Sequence, residues 1–367
     1  MRVPLFKVHV SLDVEEEMIR VLRSGYIGQG PEVEKFEKEL ESWMGLRPLA
    51  LNSGTSGLSL ALHLAGVAPG DEVITTPMTC FATNAPIVTC GATIVWSDID
   101  PDTGLMDWKS VVHRLTPRTQ AIVCVDWAGT PCNLEQLLTA AEIVGVSLIE
   151  DAAHAFGARF QDRPIGSVAD FTVFSFQAIK HLTTVDGGAL TCKRSEDRER
   201  GKLLRWYGID REGPRQDLRC ETDIPEVGYK FHMNDVAAAM GRVNLRCMNK
   251  VLQAHRDNAA FYRQALADLP RVRLLREPEG IVSSYWLFTI RVEDRESFRN
   301  HMECAGIQTS QVHTRCDAHT SMENLRSHPL PGVDTFAAEQ ISIPVGWWVT
   351  EDDREYVAEE VRKWSRG

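Results

Sequence analysis

Two carboxylates and a lysine follow short apolar segments in the middle of the chain. Glu150 and Asp151 come directly after the apolar run 146–149, and Lys180 lies four residues beyond the run 171–176. Because strand-end carboxylates of parallel sheets face the crevice in which ligands bind, we expect the acid and the lysine to meet there. A lysine amine forms Schiff bases with carbonyl compounds, and a carboxylate can pair with a pyridinium nitrogen. These residue types suit a carbonyl-bearing cofactor with a phosphate group.

Each of these residues also has an ordinary structural interpretation. An aspartate after a strand often caps a helix or forms a turn. A lysine in a polar loop is usually solvated. Asp151 and Lys180 nevertheless stand within longer patterns, which read E-D-A-A-H-A at 150–155, F-S-F-Q-A-I-K at 174–180 and D-G-G at 186–188. The combination is far more specific than either residue alone.

These three patterns resemble the motifs of the DegT/StrS family of nucleotide-sugar aminotransferases, which read E-D-A-A-[QH]-A, F-S-F-x-x-x-K and [ED]-G-G. The likeness runs from the N-terminus almost to the C-terminus. It implies the α/β class and a type I PLP-dependent aminotransferase fold. The expected architecture is a large domain with a mainly parallel, seven-stranded-type sheet and a smaller C-terminal α+β domain. The implied cofactor is pyridoxal 5′-phosphate (PLP), which takes the pyridoxamine 5′-phosphate form during turnover.

The resemblance also implies the catalytic roles. Lys180 holds PLP as a Schiff base and moves the proton, Asp151 keeps the pyridine nitrogen protonated, and His154 lies near the cofactor's 3′ oxygen. The expected reaction is transamination of a nucleotide-diphosphate-linked keto-sugar, with L-glutamate as amino donor, for amino-sugar, polysaccharide or glycoside biosynthesis. A 4-keto-6-deoxy sugar is favoured, and GDP, dTDP and UDP all remain open as the nucleotide.

A turn of small residues precedes an apolar helical pattern near residue 55. Small residues let backbone N–H groups approach a phosphate, and the helix N-terminus favours an anion. Simple N-capping is the alternative interpretation. The turn matches the family's S-G-T-x-[AG]-L, which assigns Gly54, Thr55 and Ser56 to the PLP phosphate, together with Ser175.

The residue expected against the cofactor ring departs from the family pattern. Many members carry an aromatic residue at the position of Cys80, whereas here the aromatic residue is Phe81, one position later. Cys80 is expected to pack on the ring as a small, polarisable side chain. Phe81 is also compatible with a place in the structural core.

One further pattern predicts a contact with a second subunit. It is G-Y-K-F-H-M-N-D at 228–235, which matches the family's G-[YF]-[NK]-[YF]-x-[ML]-[NTS]-[DE]. In the family this turn reaches the neighbouring active site. The match implies that Lys230 and His232 contact the phosphate there, and hence a homodimer with shared active sites. Many members have Asn and Arg at these two positions.

Substrate contacts are implied at two places. Gln29 lies in a glycine- and proline-containing segment that resembles one near the family's active site. His313, Arg315 and His319 lie in V-H-T-R-C-D-A-H, at the family's histidine-bearing loop, although the usual wording is H-Y-P-x-P-x-H. The histidine spacing differs from the zinc motif H-E-x-x-H, so no metal site is predicted.

Composition limits the other classes. The net charge of −11 argues against a nucleic-acid partner. Nine cysteines without a C-x-x-C pair indicate reduced thiols in a cytoplasmic protein. The start of the chain lacks the apolar region of a signal peptide, and no apolar run is long enough for a membrane span.

The order of strand and helix signals along the chain indicates the domain organisation. Alternating strand and helix signals predict a large domain with an N-terminal arm at 1–245 and a small domain at 246–367. Asp126 and Trp127 follow a further strand and are predicted as possible wall residues of the site.

The family's 3-dehydratase branch has histidine in place of the lysine, so Lys180 favours transamination. A non-catalytic sensor or scaffold with the same fold is the third alternative.

Overall fold

The computed structural model describes residues 2–214, 217, 223–326 and 328–367. In chain order, the strands are β1 (Leu49–Leu51), β2 (Glu72–Thr75), β3 (Thr93–Trp96), β4 (Ile99–Asp100), β5 (Leu105–Met106), β6 (Thr119–Val125), β7 (Ser147–Asp151), β8 (Arg159–Phe160), β9 (Arg163–Pro164), β10 (Phe171–Ser175), β11 (Gly188–Cys192), β12 (Val272–Leu274), β13 (Ile281–Val282), β14 (Phe288–Val292) and β15 (Gln340–Ile343).

The α-helices are α1 (Val14–Ser24), α2 (Pro31–Met44), α3 (Gly54–Leu64), α4 (Phe81–Thr89), α5 (Trp108–Arg114), α6 (Leu134–Val144), α7 (Ser195–Leu204), α8 (Asp235–Leu245), α9 (Met248–Ala265), α10 (Arg295–Cys304), α11 (Pro331–Glu339) and α12 (Glu351–Arg366). Among the described residues, none of these helices is both long and apolar enough to cross a lipid bilayer.

A seven-stranded sheet forms the centre of the fold, with the strand order β1-β11-β10-β7-β6-β2-β3. The neighbouring pairs from β10 to β3 are parallel, and β11 runs antiparallel to both β1 and β10. The inner strands β6 and β7 are almost entirely buried, as expected for parallel strands covered on both faces. The predicted α/β fold with a mainly parallel sheet is therefore confirmed.

The C-terminal part has a small antiparallel sheet of its own, with the order β12-β14-β15. Helices α9, α10 and α12 contribute buried apolar residues to a second hydrophobic core around this sheet. The first, larger core surrounds the seven-stranded sheet. The domain boundary between residues 245 and 246 stays a prediction; it falls at the end of α8.

The N-terminal arm (residues 2–10) runs along both parts. Val3 bridges to Ile307 next to the small sheet. The backbone N–H of Leu5 donates to the Oε1 of Gln308 at 3.0 Å. Phe6 then packs against Trp286, with 5.2 Å between the ring centres. The arm therefore passes beside the cavity at the edge of the large sheet.

Candidate active site

A cavity of about 480 Å³ lies at the carboxyl ends of β7 and β10. Because the two strands are parallel neighbours, the residue that ends β7 and the loop that follows β10 arrive at the same edge. The N-terminal ends of α3 and α4 close one side. The lining residues include Phe6, Gly54, Thr55, Thr79, Cys80, Thr83, Asp151, His154, Ser175, Lys180, Asp186, Trp286 and His313.

Asp151 is buried at the end of β7 and is held by two hydrogen bonds. The hydroxyl of Thr83 donates to Oδ2 at 2.7 Å, and the N–H of Ala153 donates to Oδ1 at 3.1 Å. Thr79 in turn contacts the Thr83 hydroxyl at 2.8 Å. Burial raises the pKa of Asp151, although these hydrogen bonds and the charge of Lys180 act in the opposite direction. A fixed, desolvated carboxylate of this kind interacts strongly with a nearby cation.

Lys180 projects into the same cavity from the loop after β10. Burial lowers the pKa of Lys180 to about 8 despite the opposing charge of Asp151. The Nζ lies 3.8 Å from the centre of the Trp286 ring. The Nε1 of Trp286 donates to the carbonyl of Ile179 at 2.9 Å. A lysine with this lowered pKa can act as a nucleophile near neutral pH.

Three of the rings that line the cavity lie close together as a ring wall. His154 stacks on Trp286 with 3.8 Å between ring centres, and His313 lies parallel to His154 at 5.7 Å. Burial lowers the pKa of His154 well below its ordinary value and that of His313 to about 4. Within the described part of the chain, the Nδ1 of His154 and the Nε2 of His313 are buried without a hydrogen-bond partner. Two neutral imidazoles are thus available to a bound molecule.

The small-residue turn forms the opposite end of the cavity. The hydroxyl of Ser53 caps α3 by accepting from the N–H of Ser56 at 3.0 Å. Gly54 and Thr55 line the cavity, whereas Ser56 lies behind them. A Cβ on Gly54 would come within 3.1 Å of the Cβ of Ser175, so a larger residue would close the gap between turn and strand. Backbone N–H groups at a helix N-terminus beside a serine hydroxyl fit a phosphate group.

These features fit PLP: an enclosed amine, a facing carboxylate, unpaired ring nitrogens and a phosphate cradle. A match to the DegT/DnrJ/EryC1/StrS aminotransferase family covers residues 11–362. The chain belongs to this family. Its fold and enzyme class, a PLP-dependent sugar aminotransferase, agree with the predictions from the sequence motifs.

Similar solved structures cover nearly the whole chain. AtS13 from Actinomadura melliaura is 42% identical with a TM-score of 0.94, and 98% of each chain is covered. The sugar aminotransferase CalS13 from Micromonospora echinospora is 38% identical with a TM-score of 0.95, covering 98% of this chain and 99% of that one.

A third structure bears on the cofactor. The putative sugar aminotransferase Spr1654 from Streptococcus pneumoniae, solved in PLP and PMP forms, is 28% identical to this chain. Its PLP form has a TM-score of 0.91 and covers all of this chain and 99% of its own. PLP is accordingly the cofactor of this enzyme.

Cys80 lines the cavity as the residue that precedes α4, on the same side as Thr83. Phe81 does not occupy a core position, since 42% of it is exposed. Its ring meets the edge of His319 at 5.5 Å. The residue of this pair that can reach a bound cofactor is therefore Cys80.

Gln29, Lys230 and His232 do not line this cavity. His232 packs on Trp206 with 3.6 Å between ring centres, and the carbonyl of Lys230 accepts from the side chain of Asn52 at 3.1 Å. Gln29 and Trp206 line a different cavity of about 590 Å³. The structure thus separates these three predicted residues from Lys180.

The three residues predicted in the histidine-bearing loop also lie in different environments. His313 faces the cavity. Arg315 instead forms a two-pronged ion pair with Asp317, at 2.6 and 2.7 Å, and a further pair with Asp334. His319 lies against Phe81. Arg315 and His319 are outside the lining of the cavity in this conformation.

Sequence reasoning missed several lining residues. Phe6 and Trp286 come from segments far from the motifs, and no local pattern distinguishes Trp286 from its apolar neighbours in β14. Thr83 had a weak signal, because it follows Cys80 by three residues and therefore lies on the same face of a helix. Asp126 was predicted as a wall residue, but the cavity is lined by Val125, and Asp126 is fully buried.

Proposed function

We propose that this protein transfers the amino group of L-glutamate to a keto-sugar carried on a nucleotide diphosphate, with a 4-keto-6-deoxy sugar as the favoured acceptor. The observation that carries the proposal is the enclosed Lys180 amine, which faces Asp151 in a cavity that also holds a phosphate cradle. Membership of a sugar aminotransferase family and the likeness to CalS13 support the sugar as acceptor.

In this proposal five residues hold the cofactor. Lys180 binds its carbonyl carbon, Asp151 faces its ring nitrogen, and Gly54, Thr55 and Ser175 surround its phosphate. PLP supplies an electron sink for the carbon whose amino group is transferred. Asp151 keeps a negative charge close to the ring nitrogen, since its two hydrogen bonds favour the ionised carboxylate.

Lys180 has a second task, which is to carry a proton. With a pKa of about 8, about a tenth of its amine is neutral at pH 7 and the remainder is protonated, so both forms are populated. A group that exchanges readily between both forms at the working pH is an efficient acid and base. The face of Trp286 lies under the amine and limits its movement.

The ring wall can orient the acceptor. The unpaired Nδ1 of His154 and Nε2 of His313 are buried, so a sugar hydroxyl or a cofactor oxygen that reached them would gain a hydrogen bond at little desolvation cost. Phe6 and Trp286 cover the same side with apolar surface and exclude water. We propose His154 for the cofactor oxygen and His313 for the sugar.

Lys230 and His232 lie outside the cavity of their own chain, and we propose that they complete the cavity of a second copy in a cytoplasmic homodimer. The segment that carries them is fixed by backbone hydrogen bonds from Phe231 and His232 to the carbonyl of Arg205. Gln29, Arg315 and His319 are proposed to contact the substrate.

The test begins with the absorbance spectrum of the purified protein with PLP. A visible band of the lysine-bound cofactor should form, and excess L-glutamate should shift it to the near ultraviolet. The protein in the amino form is then given GDP-, dTDP- and UDP-linked 4-keto-6-deoxy sugars, and the amino sugar is detected by mass spectrometry. Return of the visible band with one acceptor identifies the nucleotide. A band that glutamate leaves unchanged would exclude glutamate as the donor, and failure of all three acceptors would exclude the proposed sugar class.

A further inference from the structure

Asp126 and Glu150 form a pair of carboxyl groups on the side of the sheet away from the cavity. Glu150 is paired with Cys124 on β6 and with Thr172 on β10. Successive residues of a strand point to opposite faces, so Glu150 and Asp126 share a face that Asp151 does not. Both side chains are fully buried, with 0% exposure.

The hydrogen bonds of the pair leave one oxygen of each carboxyl group without a protein donor. The Oδ1 of Asp126 accepts from the N–H of Cys132 at 3.0 Å. One oxygen of Glu150, Oε2, accepts from the hydroxyl of Thr172 at 2.8 Å. Across the described ranges, no donor reaches the Oδ2 of Asp126 or the Oε1 of Glu150. The two carboxyl groups lie close enough to each other that each alters the pKa of the other.

Two ionised carboxylates cannot hydrogen-bond to each other, since neither has a hydrogen to donate. Burial raises the pKa of Asp126 well above its ordinary value and that of Glu150 to about 7. The titratable groups whose charge can influence the pair are the thiols of Cys124 and Cys132 on the same face and, from the opposite face, the carboxyl of Asp151; none of these is a cation. A single proton shared between the two carboxyl groups would give each free oxygen a hydrogen-bond partner.

The pair anchors a loop that supports the ring wall. After Asp126 the chain turns through Ala128 and Gly129, both with positive φ. The carbonyl of Gly129 accepts from the N–H of Ser284 at 3.0 Å, and that of Ala128 accepts from the N–H of Leu287 at 3.3 Å. The two donors precede and follow Trp286 in the chain, so these bonds attach the segment that carries Trp286 to the loop.

The backbone of the loop at Gly129 lies very close to the segments that carry His154 and Trp286. A Cβ at this position would lie 2.9 Å from the carbonyl oxygen of His154 and 3.0 Å from the backbone nitrogen of Trp286. Movement of this loop would therefore displace both rings that face Lys180. The carboxyl pair is the fixed point at the start of the loop.

We propose that Asp126 and Glu150 share one proton and, through the loop at 126–132, act as positioning residues that hold Trp286 against Lys180. Loss of the proton would leave two buried negative charges in contact, which would repel each other and separate the loop from β7. The ring wall would then shift away from the lysine.

The sign of the pH dependence follows from the proton count. The folded chain holds a proton that the unfolded chain has already released at neutral pH, because the pKa values of the pair are raised by folding. The stability from the shared proton is full below the unfolded pKa values and is lost as the pH rises through the folded ones. In that interval each additional proton released on unfolding raises the unfolding constant by about tenfold per pH unit.

Infrared spectroscopy of the PLP-loaded enzyme tests the shared proton directly. Wild type should show the carbonyl stretch of a protonated carboxyl group at neutral pH. Asp126→Asn and Glu150→Gln should each lose this band, because an amide N–H takes the place of the proton and both variants keep the fold. Asp317→Asn is the matched control, since it changes a buried carboxylate that pairs with Arg315 and should leave the band in place. A band that persists in both Asp126→Asn and Glu150→Gln would overturn the proposal.

The positioning role has its own measurement. We expect the alkaline decline of kcat to shift to higher pH in Asp126→Asn. We also expect the unfolding of this variant to release one proton fewer than that of wild type, so that its unfolding constant depends less on pH. A role limited to packing would leave the pH profile of kcat unchanged. The same profile in wild type and Asp126→Asn would therefore reject the link to Trp286.

Discussion

Two groups of residues that the family motifs single out have opposite environments in this chain. Lys180, Asp151 and His154 converge in one cavity, where each is in contact with other groups of the site. Lys230 and His232 lie outside it, on a segment that packs against Trp206 and Asn52. The first group is assembled by the sheet, because parallel neighbours bring their ends to one edge.

The difference indicates which parts of the site a single chain can complete. The phosphate cradle and the lysine come from elements whose mutual positions follow from strand pairing. Within the described residues, no pairing of the seven-stranded sheet brings Lys230 to the cavity of its own chain, and Lys230 is not among the lining residues. We therefore expect substitutions in the first group to abolish the chemistry within one subunit, and those in the second to act between subunits.

Lys180→Ala should have the largest effect. Activity should fall by at least about 10³-fold, since Lys180 is proposed both as the nucleophile and as the proton carrier. The visible band of the lysine-bound cofactor should disappear. Lys230→Ala is the matched control, because it removes a lysine outside the cavity and should retain the band; loss of the band in both variants would contradict the separation of the two groups.

Asp151→Asn should lower kcat by about 10²- to 10³-fold, the size expected when one preorganised electrostatic partner is lost. The amide keeps the shape of the carboxyl group but has no charge for the ring nitrogen. Thr83→Val tests the support of the same carboxylate and should have a smaller effect, because the Ala153 hydrogen bond remains. Equal losses in the two variants would show that the position of Asp151, not its charge, is what matters.

Mixing two inactive variants tests the shared site. Lys230→Ala should reduce activity by about 10- to 100-fold, the value of one lost charged hydrogen bond. After subunit exchange with Lys180→Ala, half of the dimers carry one intact site, so about a quarter of wild-type activity should return. Activity equal to the mean of the two separate variants would mean that each chain forms its site alone.

Trp286→Leu should have the smallest effect, a shift in pH dependence. The aromatic face favours the protonated amine by about 1 kcal/mol, so its loss lowers the pKa of Lys180 below about 8 by less than about one pH unit. The rate of PLP loading, followed by absorbance, should then rise at lower pH. Trp286→Phe retains a ring face and should show less of this shift. No shift with leucine would mean that Trp286 only fills space.

The sequence motifs predict the strand ends well because each lies within a few residues of its own strand. Asp151, Lys180, Gly54 and Ser175 are of this kind. Phe6 and Trp286 are not, since they reach the cavity through contacts between segments that are distant in the chain. Their apolar side chains resemble those of ordinary core residues.

Glu150 shows a second limit of sequence reasoning. It adjoins Asp151 and has the same chemistry, yet the alternation of side chains along β7 directs it to the other face. There it meets Asp126, which belongs to a different strand–loop unit. The register of β6 against β7 brings these acids together, and neither local sequence contains that register.

The N-terminal arm connects the two hydrophobic cores over a very short distance. Val3 is buried in the core around the small sheet, whereas Leu5, two residues later, belongs to the core of the large sheet, and Phe6 lines the cavity. An extended two-residue link has almost no slack. Any rotation of the small sheet relative to the large one would therefore pull on Phe6, so the arm couples the position of the C-terminal part to the shape of the active site.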